Sequence, residues 1–198
     1  METSTIVAIV CLPFDMLAYI LYNRKMFKGK TQPNPLSWSL WSFLSILNFF
    51  SYLIYSKDIV KTLLAMENAV NCIVTAVLVW RRVKQTEPLK FWEKATAVLS
   101  IIAGLVWIVF HTAFYANLII QVAGGVSSMP TIVGVWNNPR KEPRFPWFLW
   151  SVIYIALFAV IAFRMHSWLD LIYPTNYVLM HLAVFILAMR KGKEGIIA

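Results

Sequence analysis

Apolar residues run along this chain in blocks rather than in alternation. Seven stretches of mostly apolar residues, each close to the ~20 that cross a bilayer core as a helix, lie at 4–22, 36–55, 59–80, 95–114, 116–135, 147–163 and 171–189. Short polar or basic segments separate them. The pattern predicts an all-α, polytopic membrane protein with seven transmembrane helices. No basic region precedes the first block and no small-residue cleavage site follows it, so it reads as a true helix and not as a secretory leader.

The blocks also repeat. Trp38-Ser-Leu-Trp-Ser42 returns in the second half of the chain as Trp147-Phe-Leu-Trp-Ser151. At the offset that brings Trp38 onto Trp147, 36–50 matches 145–159 through Trp38/Trp147, Leu40/Leu149, Trp41/Trp150, Ser42/Ser151, Ile46/Ile155 and Phe49/Phe158. Carried onward, the offset sets helix 3 against helix 7, with Arg81 meeting Arg190. Carried backward, helix 1 matches helix 5 through Pro13 and Pro130 if the first half has a loop about eight residues longer. The expected plan is two parallel three-helix repeats, 1–82 and 115–198, joined by a linker helix within 83–114. An odd helix between two odd-numbered units lets both units point the same way across the membrane.

Composition agrees with this class. The chain has 198 residues, of which 60% are hydrophobic and 14% charged, with a mean hydropathy of +0.66; an ordinary soluble domain is excluded. Cys11 and Cys72 fall inside apolar blocks, where a thiol reads as a packing residue. A net charge of +9 raises nucleic acid as a partner, but the placement of the charges removes it. With the N-terminus outside, the inner segments carry Arg24, Lys25, Lys28, Lys30, Arg81, Arg82, Lys84, Lys90, Lys94, Arg140, Lys141, Arg144, Arg190, Lys191 and Lys193, which is 15 of the 18 basic residues. Lys57, Lys61 and Arg164 remain for the outer side. The positive-inside rule therefore expects an N-terminus outside and a cytoplasmic C-terminus.

Ser127-Ser-Met-Pro-Thr-Ile132, followed by a basic loop and a tryptophan-rich helix, resembles the PQ-loop pattern, with Thr131 where glutamine is usual. The layout of three, one and three helices resembles the SWEET sugar transporters and is similar in plan to the nicotinamide riboside transporters. The resemblance implies a membrane transporter of a small polar solute, such as a sugar, nucleoside or vitamin, working by alternating access between two triple-helix bundles. The alternative is a non-transporting membrane receptor or an intramembrane enzyme on the same scaffold.

Polar residues within the spans are the candidates for function, because they are costly there and usually face a cavity or a partner. Helix 3 carries Glu67, Asn68 and Asn71, and helix 7 carries Asn176 and His181. The SWEET-like resemblance implies that Asn68 or Asn71, together with Asn176, lines a central pocket. Glu67 aligns with Asn176 at the repeat offset. The alternative for these residues is interhelical hydrogen bonding without a ligand. Asp15 lies two residues beyond Pro13; a carboxylate at that depth can take up and release protons, or serve as a structural partner. His181 is a second coupling candidate. Pro13 and Pro130 each remove a backbone donor inside a helix and read as kinks or hinges. Trp41 and Trp150 can stack on a flat solute ring or belong to an interfacial belt. Asn48 and Gln121 are weaker cavity candidates. No metal-ligand spacing, phosphate loop or nucleophile triad is present, so neither a cofactor nor an enzymatic role is expected. The expected partners are the bilayer and a small solute; a homo-oligomer is compatible with the pattern.

The charge pattern makes a direct prediction. Cysteines introduced at Lys57 and Lys28 should be labelled by an impermeant thiol reagent from outside and inside respectively; the reverse pattern would invert the topology.

Overall fold

The computed structural model describes residues 2–31, 33, 35–82, 91–110 and 113–190. Lys84, Lys90, Lys191 and Lys193 of the charge pattern lie outside these. Seven α-helices follow one another: α1 (Thr3–Phe27), α2 (Pro35–Ser56), α3 (Ile59–Arg82), α4 (Phe91–Phe110), α5 (Ala113–Asn137), α6 (Arg144–Arg164) and α7 (Ile172–Met189). Short 3-10 turns at Pro139–Lys141 and Trp168–Leu171 precede α6 and α7. Among the described residues there is no strand. Among the described residues, six helices are long and apolar enough to cross a membrane. The architecture is that of an integral, multi-pass membrane protein.

Helices extend past their apolar blocks where basic residues follow. α1 continues to Phe27 with Arg24 and Lys25 in its last turn, and α3 ends on Arg81 and Arg82. Cations there favour the negative end of the helix dipole. α1 stops in a Schellman cap: Gly29 takes φ 66°, and the Gly29 and Lys30 amides donate to Met26 and Lys25 carbonyls at 2.9 Å. Only Lys57 and Asp58 separate α2 from α3. Asp58 Oδ1 accepts from the Val60 amide at 2.9 Å and so caps α3.

Apart from α4 the helices pack in a ring, α1–α3–α2–α5–α7–α6, in which α1–α3 make one triple in chain order and α5–α7 the other. α3 packs against both α1 and α2, and α7 against both α5 and α6; the triples meet through α1 with α6 and α2 with α5. α4 lies outside, against α5 and α2, where Leu44, Ala103, Ile120 and Ala123 form a small apolar cluster. The main core is aromatic, with Tyr19, Tyr22, Trp38, Tyr52, Trp147, Trp150, Tyr154 and Tyr173 all buried.

The helix starts keep a nearly constant offset. Pro35 and Arg144, which open α2 and α6, stand in the same relation as Trp38 and Trp147, and so do Ile59 of α3 and Trp168 of the turn before α7. Thr3 and Ala113, which open α1 and α5, depart from it by a single position. The connecting segments, 28–34 and 138–143, are almost equal in length. The expected longer loop in the first half is therefore absent, and Pro13 and Pro130 stand about two turns apart in register. Both lie within unbroken helices.

One end of the bundle is tied by ions. Lys61 Nζ donates to Asp170 Oδ2 at 2.8 Å with both residues buried, and the His166 amide bonds the same oxygen at 3.0 Å. Arg164 donates to Asp58 at 2.8 Å and also pairs with Glu2. These contacts run between the first triple and the second. Removing one partner of a buried pair leaves an uncompensated charge, which costs about 3–5 kcal/mol. Asp170→Asn should accordingly lower the thermal unfolding midpoint of the purified protein sharply. Joint replacement of Lys61 by Met and Asp170 by Leu should recover most of the loss; equal losses in both variants would mean the pair is not the cause.

Candidate functional site

Between the triples lies a cavity of about 50 Å³, which in this conformation seats only a few waters. α1 contributes Tyr19; α2 contributes Trp38, Trp41 and Ser45; α3 contributes Asn68 and Cys72. From the second triple come Gly124 and Ser127 of α5, Trp147 and Trp150 of α6, and Asn176, Tyr177 and His181 of α7. All six helices of the triples reach it. α4 does not.

The local reason is helical spacing. Trp38 and Trp41, like Trp147 and Trp150, are three residues apart and so share one helix face. Each pair meets edge to face at 5.2 Å, with interplanar angles of 76° and 73°. Ser42 and Ser151 each donate to the carbonyl of the first tryptophan of their motif, both at 2.7 Å. The repeated sequence thus builds the same helical turn twice, once on α2 and once on α6.

The polar lining is ordered by its own hydrogen bonds. Tyr19 donates to Asn68 Oδ1 at 2.6 Å, and Asn68 Nδ2 donates to Ser45 at 2.9 Å. Trp41 Nε1 donates to Ser127 at 2.8 Å. Asn176 Nδ2 donates to the Gln121 carbonyl and side-chain oxygens at 3.0 and 3.1 Å. Gln121 in turn donates to Asn48 Oδ1 at 2.7 Å, which also receives Asn117 Nδ2 at 3.0 Å. His181 Nδ1 lies 2.7 Å from the Tyr177 carbonyl. A carbonyl only accepts, so Nδ1 carries the hydrogen and Nε2 of the neutral ring presents a lone pair. The ring stacks on Tyr154 at 4.8 Å and 13°.

Of the residues expected from the sequence, Asn68, Asn176, Trp41, Trp150 and His181 come together here. Asn71 and Glu67 do not line the cavity: they lie on the next face of α3, turned toward Asp15 of α1. Asn68, one step round the helix, takes the place expected for Asn71. Pro130 lines a neighbouring space, and Pro13 neither. Sequence reasoning passed over Tyr19, Ser127, Tyr177 and Asn117. Only Asn117 carried a signal, its one-turn spacing from Gln121.

Trp38 and Trp41 also line a second space of about 70 Å³, with Tyr22, Ser37, Pro130, Gly134, Lys141 and Glu142. It opens toward the basic end of the bundle. The tryptophans therefore stand between the cavity and this vestibule. No family model, curated protein or solved structure matches the chain.

Glu142, in the loop before α6, holds the vestibule wall. Its Oε2 accepts from Trp147 Nε1 at 3.0 Å, and the Tyr22 hydroxyl faces it. Burial pushes its carboxyl up to about 7, against the opposing pull of those two donors and the Lys141 charge. The native protein thus keeps a proton that the unfolded chain releases at an ordinary glutamate value. Stability is then greatest below the unfolded value and falls as pH rises from about 4.5 to about 7, by on the order of 3 kcal/mol. Glu142→Gln should flatten that segment of the unfolding-midpoint profile. An unchanged slope in the variant would place the titration elsewhere.

Proposed function

We propose that this protein is a transporter of a small polar solute, built on the SWEET-like plan, with the aromatic cavity as its solute site and with access alternating by rocking of the two triples. The observation that carries the reading is the cavity's position: it sits on the seam between two similarly built triples, which is where repeat-built transporters bind their substrates.

Further correspondences support a repeat. Arg82 of α3 donates to the Phe27 carbonyl at 3.5 Å and lies over the Phe27 ring at 5.9 Å. Arg190 after α7 bonds the Trp136 carbonyl and lies over the Trp136 ring at 4.4 Å. Phe27 and Trp136 are related by the same offset as Trp38 and Trp147. In each triple, then, a cation from the third helix closes the carbonyl end of the first. On the charge pattern this is the cytoplasmic end, and the ion-paired end of the bundle is the outer one. The conformation corresponds to an outer side closed by Lys61–Asp170 and Arg164–Asp58, above an inner vestibule closed only by Trp38 and Trp41.

Asparagine amides and a histidine lone pair suit hydroxyl or N–H groups of a solute, and the tryptophans suit a flat or hydrophobic face. A receptor on the same scaffold would bind without flux. We expect a thermal-shift screen against sugars, nucleosides, vitamins and amino acids to reveal a ligand that raises the unfolding midpoint, and vesicles loaded with it to show uptake. Asn68→Leu and Asn176→Leu should each weaken that ligand about tenfold or more by removing a buried partner, with the protein still assembled. Full binding in both variants would displace the site, and binding without uptake would favour the receptor.

A further inference from the structure

We propose that Asp15 and Glu67 form a binding site for a small monovalent cation, a proton or Na⁺, and that Trp150 links its occupancy to the solute cavity. The coupling rests on the transporter reading; the ion site does not.

The observation is a concentration of polar atoms without partners. Asp15 is fully buried, and neither of its carboxyl oxygens has a hydrogen-bond partner among the described residues. The same is true of both Glu67 oxygens, of Asn71 Nδ2 and of the Trp150 indole Nε1. These four side chains converge where α1, α3 and α6 meet: Asn71 and Trp150 face the Asp15 carboxyl, and Asn71 and the Met16 amide face Glu67, none within ordinary hydrogen-bond geometry, while Glu67 acts on Asp15 by charge. Buried polar atoms are normally satisfied. Six that are not, gathered at one place, mark a position that a ligand completes.

The surroundings decide the ligand's charge. The other titratable groups that sense Asp15 are Cys11 and Tyr19 on α1 or α3's Cys72, with Tyr154 on α6 and Tyr173 and Tyr177 on α7. All are thiols or phenols, and none is a cation. Lys61, on the same helix as Glu67, is already held by Asp170. Two neighbouring carboxyls in a hydrocarbon-embedded site therefore need positive charge from outside the side-chain set. No group of three or more His, Cys, Asp or Glu gathers among the described residues, which disfavours a multivalent metal. Carboxylate oxygens suit a proton shared between them or a hard monovalent ion, while the Asn71 and Trp150 N–H groups can serve the remaining lone pairs.

Comparison of the two triples sharpens the point. At the repeat offset Glu67 corresponds to Asn176, and Asp15 to the Gly124-Gly125 pair. In the second triple this place is self-sufficient: Asn176 packs beside the two glycines and donates to Gln121. In the first triple the same place holds two acids with nothing to neutralise them. The Trp150 ring packs 5.0 Å from Tyr19 and 5.7 Å from His181 in the cavity wall, so a change in its indole contact with Asp15 is felt where the solute sits.

The test is carbodiimide labelling of the purified parent protein in nanodiscs, read by peptide mass spectrometry, since dicyclohexylcarbodiimide attacks protonated carboxyls in apolar surroundings. We expect an adduct on Asp15 or Glu67. For a proton site, labelling falls by up to about tenfold per pH unit once the pair deprotonates; for a sodium site, NaCl in place of KCl suppresses it at fixed pH. No adduct on either acid, or an adduct indifferent to both pH and Na⁺, overturns the ion site. In parallel, the tryptophan emission of the parent should respond to the same ion, and the response should vanish in Trp150→Phe; its survival there overturns the link to the cavity. The labelling needs no variant, so it decides even if Asp15→Asn fails to assemble. Solute uptake without an adduct removes the ion site alone, whereas an adduct without uptake removes the transporter reading alone.

Discussion

Inside a bilayer a buried amide or charge has no water to bond, so each must find a partner within the protein or face a cavity. This constraint explains which helices adhere. Hydrocarbon gives apolar helices little reason to prefer one another over lipid, and the seam between α2 and α5 is accordingly closed by Asn48, Ser51, Asn117 and Gln121, whose bonds of 2.7 to 3.0 Å join the two helices. Asn176 extends that network to α7. The seam between α1 and α6 is closed mainly by rings, with Trp150 set between Tyr19 and Tyr22 at 5.0 and 5.8 Å. One seam is hydrogen-bonded and the other aromatic.

That difference bears on which half does what. The amide network supplies its own donors and acceptors, Asn48 Nδ2 apart, and reaches the cavity wall through Asn176. An aromatic seam offers a carboxylate set into it few donors, here the Trp150 indole and the Asn71 amide that face Asp15 without ordinary hydrogen-bond geometry. The same backbone plan thus yields a self-contained polar network on one side and, on our reading, an ion site on the other.

How much of this was legible in the sequence follows from the same physics. Helix positions were readable because each needs a long apolar run, and six such helices stand near where the runs lie. The tryptophan motif was readable because two identical spacings place identical faces. Asn68 and Asn71 could not be separated, since they differ by less than a third of a turn of α3 and only the crossing with α1 and α2 decides which one meets the cavity. The correspondence of Pro13 with Pro130 failed because a single proline fixes no register, whereas the ends of helices, set by caps and cations such as Gly29, Arg82 and Arg190, do. Lys61 gave no sign of burial: its partner Asp170 lies in the other half of the chain, and the pairing exists only once α3 and the turn before α7 are side by side.

The two ends of the cavity are closed by interactions of different range, and this bears on how such a bundle can move. Toward the basic end, Trp38 and Trp41 separate cavity from vestibule by packing and one hydrogen bond, from Trp41 Nε1 to Ser127, so ring displacements that break that bond join the two spaces. At the other end Lys61 and Asp170 face each other in a dry environment, where separation is expensive at first because both charges lose their partner before water arrives. Once the helices part enough for water to enter, each charge is solvated, and an exposed pair contributes little. The cost is therefore concentrated at the start of the opening and falls as it proceeds. A closure of that kind resists partial opening and favours two distinct states, which the alternating access we propose would require, while the aromatic closure at the basic end can yield more gradually.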